Sequence, residues 1–123
     1  MQKIEGSCHC GKVQYRCSEP FQFNFLCYCD NCKKINGGLR LAGAMLPKAS
    51  LTTKAETKVY VYQGGKGEIE LHFCPECGTP VCGYPKSHPD AVVIRANTLS
   101  DYKHFDGPRR IFDDQACGFD FQH

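Results

Sequence analysis

The sequence predicts a mainly β domain of short antiparallel strands folded around bound metal, and three observations carry that expectation. Apolar and polar residues alternate over several short segments. Turn residues recur at roughly ten-residue spacing. Seven of the ten cysteines fall into three tight clusters: Cys8-His9-Cys10, Cys27-Tyr28-Cys29-Asp30-Asn31-Cys32 and Cys74-Pro75-Glu76-Cys77.

Along the chain, Lys12-Val13-Gln14-Tyr15-Arg16-Cys17 has the period of two that marks a half-buried strand, and Phe21-Gln22-Phe23-Asn24-Phe25 repeats it with aromatics. A short helix is expected around Asp30–Ile35, capped by Asp30 or Asn31 and stopped by Asn36-Gly37-Gly38. Lys58–Tyr62 and Glu68–Phe73 alternate on either side of Gln63-Gly64-Gly65-Lys66-Gly67, which reads as a hairpin running into the third cysteine cluster. Ala91–Ala96 is more continuously apolar, as in a strand covered on both faces.

The 123 residues allow a single domain, 1–123. Hydrophobic residues at 41% and charged residues at 23% exclude a disordered chain. Apolar runs are too short for a membrane helix, so no membrane partner is expected. The opening Met1–Gly6 lacks the apolar core of a secretion signal, which gives a cytoplasmic expectation. In a reducing compartment clustered cysteines point to metal or catalysis rather than disulfides. A formal net charge of +2 is weak for nucleic acid, and thiolates binding zinc would remove it.

Zinc suits thiolates, which it binds tetrahedrally. Cys74 and Cys77, with Gly78 after them, have the spacing of a zinc knuckle, and Cys8 and Cys10, followed by Gly11, supply a second turn. Together they make a closed, structural four-cysteine site joining segments more than sixty residues apart. Cys27, Cys29 and Cys32 offer three ligands and no obvious fourth, the pattern of an open, catalytic zinc. A helix start at Cys29 and Cys32, with Lys33 and Lys34 nearby, favours their thiolate forms. The alternative is a second structural site closed by Cys17, Cys82, Cys117 or a histidine.

Cys17 and Cys82 otherwise read as small core residues, and Cys117 as an ordinary thiol or a gatekeeper of the open site. His9 points away from the metal its neighbours share, His72 occupies the solvent face of its strand, His88 a loop and His123 the terminus. His104 is the histidine chosen as a candidate catalytic proton donor or substrate contact.

The ordered pieces Gly6-Ser7-Cys8-His9-Cys10-Gly11, Cys27-Tyr28-Cys29-Asp30-Asn31-Cys32-Lys33-Lys34 and Phe73-Cys74-Pro75-Glu76-Cys77-Gly78-Thr79-Pro80 resemble the glutathione-dependent formaldehyde-activating enzymes, a family that shares its domain with the centromere protein V group. The likeness runs from Gly6 to about Phe119. It implies an Mss4-like fold of small coiled β-sheets and two zinc ions per chain. The structural zinc maps onto Cys8, Cys10, Cys74 and Cys77, and the catalytic zinc onto Cys27, Cys29 and Cys32. Two departures stand out: Tyr28 replaces a usual histidine, and Ile111–Cys117 replaces a tryptophan-and-proline pattern.

The function implied is a carbon–sulfur lyase of the S-(hydroxymethyl)glutathione synthase type, joining glutathione to formaldehyde or a related small electrophile. The acid needed would be a zinc-bound water, Tyr84 or His104. Lys33, Arg95 and Arg109 are candidates for glutathione carboxylates. Two other readings belong to different classes: a glutathione or small-thiol carrier without turnover, and a structural zinc module for a protein partner.

Overall fold

The computed structural model describes residues 3–118; the expectations for His123, and for the family likeness and single domain beyond residue 118, lie outside the described residues. Among the described residues ten strands form two sheets, and the expected mainly β class is observed. Strands β1 (Ile4–Ser7), β2 (Gln14–Cys17) and β5 (Leu51–Lys54) make a three-stranded antiparallel sheet in the order β1-β2-β5. The larger sheet contains β3 (Phe23–Cys27), β4 (Leu41–Pro47), β6 (Lys58–Gly64), β7 (Gly67–Phe73), β8 (Pro80–Pro85), β9 (Ala91–Arg95) and β10 (Arg109–Ile111). Its order is β10-β3-β4-β9-β8-β7-β6, antiparallel except for the parallel β10–β3 edge. Helix α1 (Asp30–Asn36) follows β3.

Between the sheets lies one apolar core that includes Ile4, Val13, Tyr15, Leu46, Val92, Ile94 and Leu99. Burial of those side chains supplies the main driving force for joining the sheets. The Tyr15 hydroxyl reaches Thr98 Oγ1 at 2.7 Å, so the polar end of the phenol is satisfied inside that core.

The expected hairpin is β6–β7, closing at Gly64 and Gly67. Residue register shifts between His72 and Phe73, bending β7 just before Cys74. Three expected strands differ at their ends. β2 begins at Gln14 rather than Lys12, because the Cys8 N–H donates to Val13 O at 3.0 Å and draws Val13 into the first cysteine turn. β3 is displaced towards Cys27 by its pairing with β4, and β9 stops at Arg95 because Ala96–Thr98 turns into a 3-10 segment. Strand β4 carried no clear signal, since Leu41-Ala42-Gly43-Ala44 combines small residues with a glycine; its place between β3 and β9 supplies the burial that makes it a strand.

Candidate metal centres

The first cluster unites two turns whose cysteines Cys10 and Cys74 are 64 residues apart in sequence. Gly11 and Gly78 adopt φ of 84° and 78°, the left-handed region in which a side chain is disfavoured, so each turn can fold its cysteines back together. Cys10 Sγ lies 3.6 Å from Cys8 Sγ and 3.7 Å from Cys74 Sγ. A tetrahedral zinc with about 2.3 Å bonds to sulfur requires an S···S edge of about 3.8 Å. All four sulfurs, those of Cys8, Cys10, Cys74 and Cys77, lie within 4.8 Å of one another. Backbone N–H groups of Val13, Glu76 and Cys77 donate to Cys8 and Cys74 sulfurs at 3.3, 3.4 and 3.5 Å. Lys12 Nζ and Glu76 Oε1, 3.3 Å apart, link the two turns on the surface. His9 anchors by its backbone N–H to Thr79 Oγ1 at 3.2 Å.

The second cluster forms where β3 runs into α1. Cys27 Sγ is 3.5 Å from Cys29 Sγ and 2.9 Å from Cys32 Sγ. The helix cap is Cys29 rather than Asp30 or Asn31: its sulfur accepts the Cys32 N–H at 3.2 Å, the role usually played by a side-chain oxygen. Asp30 instead pairs with Lys33 at 3.2 Å, and Gly37 ends the helix in the left-handed conformation. The helix start is braced from the C-terminal segment: Asp30 N–H donates to Gln115 Oε1 at 2.9 Å, and Lys33 Nζ donates to Gln115 O. Tyr28, fully buried, receives a hydrogen bond from Arg40 Nη1 at 3.0 Å with the guanidinium 6.0 Å from the ring centroid.

Within each cluster the thiols share charge unequally. Hydrogen bonding from Thr79 pulls Cys77 down to about 5, while Cys10 is pushed up to about 12. Donation from Cys32 pulls Cys27 down to about 6 and raises Cys32 itself. Sulfurs packed this closely cannot all ionise unless a cation sits among them, and a soft divalent ion such as zinc fits both donor sets.

The clusters differ in one respect. The second has three ligand atoms, and among the described residues no fourth His, Cys, Asp or Glu ligand joins them. Cys17 and Cys82 are buried in the main core, as expected, and Cys117 lies outside the cluster. His72 is not on a solvent face: its Nδ1 lies 2.8 Å from Thr57 Oγ1 and its ring meets Tyr84 edge-on at 4.8 Å. Those side chains line a cavity of about 330 Å³ beside Val13 and Cys82. His104 places Nε2 3.1 Å from Lys3 O, ahead of β1. Arg109 is exposed on β10, whereas Arg95 is buried and donates to Asn36 Oδ1 at 3.0 Å.

Tyr62 was not singled out from the sequence, where it is one aromatic in an alternating strand. Its phenol stands in electrostatic contact with Cys27, Cys29, Cys32 and Arg95. The strand is held to the helix at this point, since Asn31 Nδ2 donates to Gln63 O at 3.0 Å.

The family described as "Glutathione-dependent formaldehyde-activating enzyme" matches residues 3–115. A Halomonas elongata protein named "Putative glutathione-dependent formaldehyde-activating enzyme" is 33% identical over 102 residues, 78% of this chain, and the match spans 65% of that relative's length. A crystal structure of a Rhodobacter sphaeroides protein superposes with a TM-score of 0.64 at 20% identity, covering 87% of this chain and 99% of the other; that likeness speaks for the fold. Among the described residues no helix is long and apolar enough to cross a membrane. By the extent of the family match, with both cysteine clusters inside it, this chain belongs to the glutathione-dependent formaldehyde-activating enzyme family.

Proposed function

We propose that the chain is a zinc-dependent carbon–sulfur lyase that joins glutathione, or a related small thiol, to formaldehyde or a similar electrophile. The observation that carries this reading is the asymmetry of the clusters: four sulfurs converge in one and three in the other. On this reading Cys8, Cys10, Cys74 and Cys77 hold a structural zinc, and Cys27, Cys29 and Cys32 hold a second with one position open to substrate. When bound there, zinc supplies the positive charge that keeps an incoming thiol ionised at neutral pH.

The chain's own residues then position the reactants. Gln115 and Lys33 brace the helix start, so Cys29 and Cys32 are presented from a fixed backbone. The substrate thiol loses its proton to solvent, and its sulfur forms the bond to the carbonyl carbon. The carbonyl π pair moves to oxygen, which takes up a proton, and close placement of the two reactants accelerates the step. Tyr62, whose phenol is in electrostatic contact with the three cysteines, is the candidate hydrogen-bond donor to that oxygen. His104 enters as a second candidate donor; with Nε2 donating to Lys3 O, its Nδ1 is the atom free for another contact. A cytoplasmic location suits a chemistry that needs reduced thiols.

The test compares adduct formation from glutathione and formaldehyde with and without the zinc-loaded protein, at fixed free glutathione, and repeats it with Cys29→Ser. Acceleration lost in the variant supports the enzyme. Thiol binding without acceleration replaces it with a carrier, and a cobalt-substituted protein whose spectrum ignores millimolar glutathione replaces it with a closed structural module.

A further inference from the structure

Arg95 is 3% exposed, yet among the described residues it takes part in none of the ion pairs with carboxylates. Buried cations are retained where an anion offsets the loss of hydration. Its hydrogen-bond partners are Asn36 Oδ1, which is neutral, and the Tyr62 side chain, a phenol whose ordinary pKa of about 10 leaves it uncharged at neutral pH. The remaining groups in electrostatic contact with it are Cys32 and Cys82. Burial keeps the Cys82 thiol protonated up to about 11, so it is not the missing anion at neutral pH.

The register places Arg95 on the face of the sheet that carries the three-cysteine cluster. Phe25 pairs with Gly43 and Gly43 with Arg95, so these three residues share one face of the large sheet. Cys27 lies two residues beyond Phe25 on β3 and points to that same face. Helix α1, which leaves the end of β3, carries both Cys32 and the Asn36 that holds the guanidinium. Three thiolates around one divalent cation carry a net negative charge, and a fourth thiolate doubles it.

We propose that Arg95 is the counter-charge of the three-cysteine centre and makes its open position selective for an anionic fourth ligand, a thiolate, over a neutral one. The inference rests on the open-site reading above and names a positioning residue for it. Arg95 acts through space on the charge of the centre and holds Asn36 and the end of α1 in place. No proton moves to or from the guanidinium.

The experiment uses the cobalt-substituted full chain and two small probes, 2-mercaptoethanol as the thiolate donor and imidazole as the neutral ligand. Both affinities are read from the ligand-field spectrum. Arg95→Gln drops the charge while keeping a donor for Asn36 Oδ1, Arg95→Met repeats the charge loss with similar volume, and Arg95→Lys restores the charge. The expected result is a loss of about tenfold or more in 2-mercaptoethanol affinity for Gln or Met, the scale of one nearby charge in a partly screened site. Imidazole affinity stays within about twofold, and Lys recovers most of the thiol affinity. Equal weakening of both probes, as a merely structural role predicts, overturns the inference, and so does no change in either. If the wild-type centre takes neither probe, the open-site reading itself fails and the inference falls with it.

Discussion

Loss of the four-cysteine clip is the perturbation with the largest expected effect on stability. Cys10 and Cys74 are 64 residues apart in sequence and 3.7 Å apart at their sulfurs. Treated as a cross-link closing that loop, the site removes unfolded-state entropy corresponding to about 4 kcal/mol. The double variant Cys10→Ser/Cys77→Ser isolates this contribution, because both side chains are exposed and their replacement empties no core space. Two sulfurs remain, too few to hold the metal. Zinc-loaded wild type and variant would be compared by urea unfolding, with the variant expected to lose about 4 kcal/mol and roughly 10–20 °C in Tm. Cys29→Ser/Cys32→Ser is the control, since its cluster spans only the segment Cys27–Cys32 and the same relation gives about 2 kcal/mol at most. Equal losses in the two double variants, or a loss below about 1 kcal/mol for the first, would refute the assignment of the long-range clip to Cys8, Cys10, Cys74 and Cys77.

Other expectations follow from single contacts. Gly43→Ala puts a Cβ 2.4 Å from Phe25 Cζ and 2.9 Å from Val93 Cγ1, and is expected to cost about 1–3 kcal/mol in urea unfolding, whereas Gly65→Ala meets no atom within 4 Å and stays near neutral. Burial raises Cys17 and Cys82 from 9.0 to about 11, so their contribution to stability is whole below pH 9 and is lost as pH rises from 9 through 11. Cys17→Ala/Cys82→Ala therefore flattens the alkaline fall in stability measured across that window, and an unchanged slope would count against the cause. Cys29→Ser keeps an N-cap acceptor for α1 while removing a soft ligand, so metal binding at the second site weakens with far-ultraviolet circular dichroism unaltered; a loss of helical signal would show that the sulfur does more than cap and coordinate.

The convergence of the cysteines into two clusters was legible in the sequence because ligand chemistry is written in local spacing. Cys74 and Cys77 fit a knuckle by their separation and Gly78, and Cys27, Cys29 and Cys32 fall within six residues of one another where β3 runs into α1. The β6–β7 hairpin was legible for a similar reason, since alternation and a glycine turn are properties of neighbours along the chain. The cap of α1 was misread by the usual oxygen-bearing residues, because a sulfur accepting the Cys32 N–H has no marker in composition.

What only the tertiary structure decided concerns residues far apart in sequence. Leu41–Pro47 is a strand because β3 and β9 flank it, and its own small residues say little. The sequence offers Arg95 only as a candidate for glutathione carboxylates, whereas β4 and β9 align it with Gly43 on the face carrying Cys27. Tyr62 reaches the same centre because Asn31 holds β6 against α1. Chemistry confined to one turn is set by the order of residues in that turn, whereas the charge around a metal centre depends on which distant strands are brought beside it, and that is settled by sheet order and register.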